Sequence, residues 1–160
     1  MSAEFVTRLG KATSRWGLGE SVGCVWGTLL FSGSALTQKE LVEASGYSVA
    51  LVSSSLSRLK ELGFVASAGR RGRKRLYVAV MSVVDGLESF LKRFVDMEIV
   101  PTVKILSERI HGIKDAKQRS NAERILEEYR RGKVFLDTLL SLMEKHKNLC
   151  SNELKQILPR

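Results

Sequence analysis

Residues 37–80, TQKELVEASGYSVALVSSSLSRLKELGFVASAGRRGRKRLYVAV, decide the fold. They read as a helix, a tight turn, a second helix and a two-stranded hairpin with a basic tip. Thr37-Gln-Lys-Glu40 has the form of a capping box, in which the threonine hydroxyl accepts the N3 amide and the glutamate reaches back to the N-cap amide. Leu36 and Leu41 flank that cap as an apolar staple. Leu41, Val42 and Ala44 supply a short inward face, and Gly46 is a natural left-handed stop.

Ser48 caps the second helix, with Tyr47 and Val52 as its staple. Val52, Leu56, Leu59 and then Leu62 or Gly63 recur at helical spacing and are expected to face inward. The opposite face carries Ser48, Val49, Ala50, Ser53, Ser54, Ser57 and Arg58. A solvated helix favours Lys and Glu there; small side chains suit a helix that must approach a partner closely. A rod of roughly fifteen residues spans about 22 Å, and the DNA major groove, about 12 Å wide, admits one helix. Strands are expected over residues 64–68 and 75–80, with Gly69-Arg-Arg-Gly-Arg-Lys-Arg75 between them. Arg70, Arg71, Arg73, Lys74 and Arg75 repel one another unless a polyanion receives them. A merely solvated loop is the alternative, but directly after a helix-turn-helix these cations point to nucleic acid.

Ser48-Val-Ala-Leu-Val-Ser-Ser-Ser-Leu-Ser-Arg-Leu-Lys-Glu-Leu-Gly-Phe-Val65 followed by a basic hairpin resembles the recognition helix and wing of the MarR superfamily. Gly17-Leu-Gly-Glu-Ser-Val-Gly23 and Leu29-Leu-Phe-Ser32 resemble its GbsR-like branch of winged-helix transcriptional regulators. The likeness covers residues 15–100, and the C-terminal third only in helical character. Relatives often carry a basic residue after the capping serine where this chain has Val49, so no target sequence transfers. The resemblance implies a homodimer on double-stranded DNA, with a small-molecule effector held between winged domain and dimer helices. Trp16, Trp26, Phe90 and Phe94 are the candidate lining, although aromatics at helical spacing are more often plain core.

The chain of 160 residues suits one domain, or a small domain with a helical extension, and its 44% hydrophobic content can supply a core. Residues 44–80 hold seven Lys/Arg against Glu61 alone, so two thirds of the net +9 lies in the DNA-facing module. Cys24 and Cys150 form no CxxC and have no histidine cluster, which argues against a metal; Cys24 reads as core. His111 and His146 sit in charged helical surroundings without a nucleophile beside them, so no catalytic residue and no cofactor is expected. The uncharged run Ser21–Gln38 contains three glycines and reads as a buried helix and turn, not a membrane span. A signal peptide's apolar region is not evident at the start, and a cytoplasmic protein is expected.

Phe5, Val6, Leu9 and Trp16 suggest an amphipathic helix over residues 2–15, docking on a partner subunit or on its own core. Gly17–Gly23 superficially resembles a phosphate loop, but a helical pattern precedes it where a strand is required, so a helix junction is expected. Val22, Val25, Trp26, Leu29 and Leu30 form the next inward stripe. Ser82-Val-Val-Asp85 caps a long helix of about thirty residues, kinked or broken by Pro101. Residues 115–120 read as a turn, with Ser120-Asn-Ala-Glu123 capping a further helix and residues 151–158 adding a short last one. The long apolar stripes point to a two-fold dimer, an intramolecular bundle being the alternative.

The expected organisation is an N-terminal helix (1–16) in the dimer interface, a winged helix-turn-helix (17–80) and a helical dimerisation region (81–160). The fold class is mainly α with a small β-hairpin wing. The expected function is a homodimeric, sequence-specific DNA-binding regulator, not an enzyme. Contacts are expected from the seven residues of the Ser48 helix, the five wing cations and, secondarily, Thr37 and Gln38. A non-specific architectural binder and a winged-helix protein-interaction module are the alternatives.

Overall fold

A computed structural model describes residues 2–157. Met1 and residues 158–160, which the expected terminal regions included, lie outside the described residues. The order is α1 (Ser2–Arg15), α2 (Glu20–Ser32), β1 (Leu36–Thr37), α3 (Gln38–Ser45), α4 (Val49–Glu61), β2 (Val65–Arg71) and β3 (Lys74–Ala79). Then come α5 (Val83–Phe94), a π-helical turn (Val95–Ile99), α6 (Val100–Arg109), a 3-10 turn (Ile110–Gly112), α7 (Ala116–His146) and α8 (Ser151–Ile157). The fold is mainly helical with a three-stranded antiparallel sheet, a winged helix-turn-helix with long helices. It divides into two compact units, with the boundary between Gly86 and Leu87, inside α5.

The first unit is built around Trp26, which is fully buried and meets Phe64 edge-on at 4.7 Å. The indole N–H donates to the Met81 carbonyl at 3.3 Å, so burying the ring leaves no polar atom unpaired. Leu41, Val52 and Leu59 are also fully buried, bringing α3 and α4 onto the same core. α1 packs along α2 where neither helix carries a side chain: a Cβ on Gly23 would overlap Thr13 Oγ1 and come within 2.8 Å of Gly10 Cα. The glycine-rich segment between α1 and α2 is thus a helix junction and a close-packing site. β1, a two-residue strand not expected from the sequence, pairs with β3 through Leu36–Tyr77 and Thr37–Leu76 and makes the sheet order β1-β3-β2.

At the end of the first unit, the Ser82 side chain accepts the Asp85 amide at 3.2 Å and Asp85 accepts the Ser82 amide at 2.8 Å, the expected cap of α5. The interruption expected at Pro101 takes the form of a π-helical turn, Val95–Ile99, just before it. The Val100 amide donates to the Val95 carbonyl in that turn, which widens the helix where the proline ring would crowd the preceding turn. The expected start at Ser120 is corrected. α7 begins at Ala116, capped by the Asp115 carboxylate on the Gln118 amide at 2.7 Å, and Ser120 lies inside the helix. α7 runs back along α6 and the π-helical turn. Leu126 and Leu140 are buried, whereas Phe135 is 68% exposed and Leu139 and Leu142 on the same face are also open.

Candidate nucleic-acid interface

The seven candidate residues of the Ser48 helix, Ser48, Val49, Ala50, Ser53, Ser54, Ser57 and Arg58, are all exposed. Ser48 is the N-cap and accepts the Leu51 amide at 3.3 Å. Ser54 donates to the Leu51 carbonyl at 3.0 Å, which leaves its oxygen able to accept but removes its proton from contact with a partner. Ser55 differs from its neighbours: it is buried and donates to Ser21 at 3.2 Å, so it belongs to the α2–α4 packing. With its thirteen residues, α4 is a rod of about 20 Å.

The wing is longer and tighter than the sequence suggested. β2 and β3 extend through Arg71 and Lys74, which pair directly, so the turn is only Gly72-Arg73. Gly72 has φ 62° and no non-glycine residue among those described has positive φ, the type II′ pattern with glycine first. A shift in strand pairing between Ser67 and Arg70 bulges β2 on the way to the tip. Arg70, Arg71, Arg73, Lys74 and Arg75 are all exposed.

The wing is tied to the start of α3. Arg71 Nη1 meets Glu40 Oε1 at 2.6 Å, while Glu40 Oε2 accepts the Thr37 amide at 2.7 Å and the Thr37 hydroxyl at 2.8 Å. One carboxylate therefore closes the capping box and holds a wing cation. Its hydrogen bonds to Thr37, with Arg71 adding to them, lower the Glu40 carboxyl from 4.5 to about 2. Thr37 itself is buried with its hydroxyl committed to this cap, so it serves the helix rather than presenting a contact. Gln38 is half-buried and donates to the Val49 carbonyl at 3.1 Å, joining the start of α3 to the start of α4.

A small cleft of about 210 Å³ lies where these elements meet, walled by Gln38 and Lys39 from α3 and Lys74, Arg75 and Tyr77 from β3. The start of α4, the start of α3 and the wing are thus linked through Gln38 and Glu40. Sequence reasoning missed Lys39 and Tyr77, and gave Glu40 only its local capping role. Lys39 follows two candidate residues in the chain and was a readable signal; Tyr77 joins the cleft only through strand pairing. Of the expected effector lining, Trp26 is core, enclosed with Phe64, and Phe90 and Phe94 contact one another at 6.3 Å in the second unit.

Among the described residues no group of three His, Cys, Asp or Glu side chains could hold a metal ion, and no helix is long and apolar enough to cross a membrane. No protein-family model matches the chain, and no curated protein matches it. Among solved structures, the crystal structure of a transcriptional regulator is similar to it with a TM-score of 0.58 and 15% sequence identity, over 90% of this chain and 98% of that one. What the two chains share at that identity is the fold.

Proposed function

We propose that this chain is a sequence-specific DNA-binding transcriptional regulator that acts as a homodimer, related to the GbsR-like branch of the MarR superfamily. One observation carries the reading: α4, with its open small-residue face, and the arginine-rich hairpin are both tied to the start of α3, through Gln38 and Glu40. α4 enters the major groove, and Arg70, Arg73, Lys74 and Arg75 reach phosphates or the adjacent minor groove. Two modules related by a dyad read half-sites about one helical turn apart. The face of α4 offers serines and the methyls of Val49 and Ala50, with Arg58 its one side chain able to fork onto guanine. Phosphate contacts and groove shape therefore supply most of the affinity, with a modest direct code. The exposed Phe135, Leu139 and Leu142 face supports the dimer.

The same serine-rich face favours one rival reading, a binder of duplex DNA without sequence preference. Selection of bound fragments from genomic DNA, followed by competition against random duplex, separates the two. A regulator should prefer its enriched site by about a thousandfold or more. Arg73→Ala, at the turn of the wing, should lower the salt slope of duplex binding by about 0.9 for one lost phosphate contact. An unchanged slope removes the wing from the phosphates.

A further inference from the structure

We propose that the open cleft walled by α1, α2 and the turn of the helix-turn-helix is an effector site for a primary arylalkyl ammonium. The cleft encloses about 470 Å³, within the range of small-molecule sites, and Val6, Cys24, Phe31, Leu36 and Tyr47 give it a largely apolar wall. It lies wholly within the first unit, apart from the pocket that the family resemblance implies.

The chemistry of the wall selects the ligand. Thr7, Thr28 and Ser45 each donate their hydroxyl to a carbonyl four residues back, at 2.8, 2.8 and 2.6 Å. Ser32 has the Leu29 and Ser34 carbonyls at 3.1 and 3.0 Å, and Tyr47 donates to Cys24 Sγ at 3.6 Å. Every hydroxyl proton of the lining thus has a partner in the protein; Ser32 and Ser45 also accept the Ser34 and Tyr47 amides at 3.3 and 3.4 Å, so each has one lone pair left, and the Thr7, Thr28 and Tyr47 oxygens are the other acceptors. The hydrogen bond to Cys24, with burial adding to it, pushes the Tyr47 phenol up to about 12.

Among the described residues no Lys, Arg or His lines the cleft, and the charged group on its wall is the Glu20 carboxylate. An anionic ligand would face the Glu20 carboxylate with no cationic side chain among the described lining residues to offset it. A quaternary ammonium would leave the waiting acceptors without N–H groups. A primary ammonium supplies them, and an aromatic body suits the faces of Phe31 and Tyr47. Tyr47 directly precedes Ser48, the N-cap of α4, so a ligand resting on its ring touches the turn that aims the recognition helix.

Calorimetry with phenethylamine as the probe and 3-phenylpropionate as its anionic counterpart tests the site on the full chain without DNA. The amine should bind and the carboxylate should not. Glu20→Gln should weaken the amine about tenfold, the scale of a charge-assisted contact, and Ala44→Leu, which fills the cleft, should abolish binding. No binding of the amine at millimolar concentration, equal binding of the carboxylate, or an affinity unchanged in Glu20→Gln overturns the proposal. Should Ala44→Leu fail to fold, Glu20→Gln decides alone. The effector role rests on the regulator reading and has its own readout: the amine should shift duplex affinity at least threefold, and a smaller shift overturns that role. If the chain binds no duplex at all, the regulator reading fails while the calorimetry still decides the ligand site.

Discussion

Replacing Glu40 with glutamine separates two duties of one side chain. Glutamine at N3 still closes a capping box, because its carbonyl can accept the Thr37 amide, so α3 should survive. The wing loses its internal anion: Arg71, now 2.6 Å from a carboxylate oxygen, would face only a neutral amide. On the regulator reading the freed guanidinium becomes available to a phosphate. One additional contact steepens the slope of log affinity against log salt by about 0.9, so the variant's advantage over wild type should grow about 3.5-fold from 200 to 50 mM salt. Fluorescence anisotropy of a labelled duplex at 50, 100 and 200 mM measures this, with a thermal melt as the control for folding. Parallel slopes would refute the idea that Glu40 withholds Arg71 from the duplex. Weaker binding with a shallower slope would reverse it, making the ion pair the strut that aims the wing.

Because the Glu40 carboxyl is lowered from 4.5 to about 2 in the folded chain, its contribution to stability is present above pH 4.5 and is lost as pH falls towards 2; wild type should lose more melting temperature than Glu40→Gln between pH 5 and pH 3. Gly86→Ala places a methyl onto Trp26 Cη2 and 3.1 Å from Phe64 Cε1. Overpacking of about 1–3 kcal/mol should outweigh the gain of up to about 1 kcal/mol in helix propensity, so a melting temperature that holds or rises argues against the tight seat. Phe135→Asp puts a charge on the open face of α7 and should convert a dimer to monomers in sedimentation; a dimer that persists would place the interface elsewhere.

What could be read from the sequence was the part encoded by neighbours. The capping box at Thr37, the stop at Gly46 and the Ser48 cap each involve residues within a few positions, and all are present in the structure. Where two local signals competed, the sequence was ambiguous: Ser120 and Glu123 have capping-box spacing, yet Asp115 starts α7 five residues earlier. β1 escaped because two residues carry no periodicity, and its pairing with β3 spans forty positions. The Arg71–Glu40 pair, thirty-one residues apart, escaped for the same reason. That pair changes the count of the wing, since one of its five cations already has an anion in the protein.

The π-helical turn between α5 and α6 changes how the long helix presents itself. A wide turn inserts one residue into the helical count, and one residue is about 100° of rotation. An apolar seam drawn through α5 therefore does not continue as the same seam along α6; it jumps sideways where Val95 and Ile99 turn inward and Met97 outward. On the dimer reading, a second copy gripping this helix would meet two short ridges out of phase instead of one long ridge. Removing a single residue from this turn would bring the ridges into line, so the length of the segment, as much as its composition, sets which surface the helix offers.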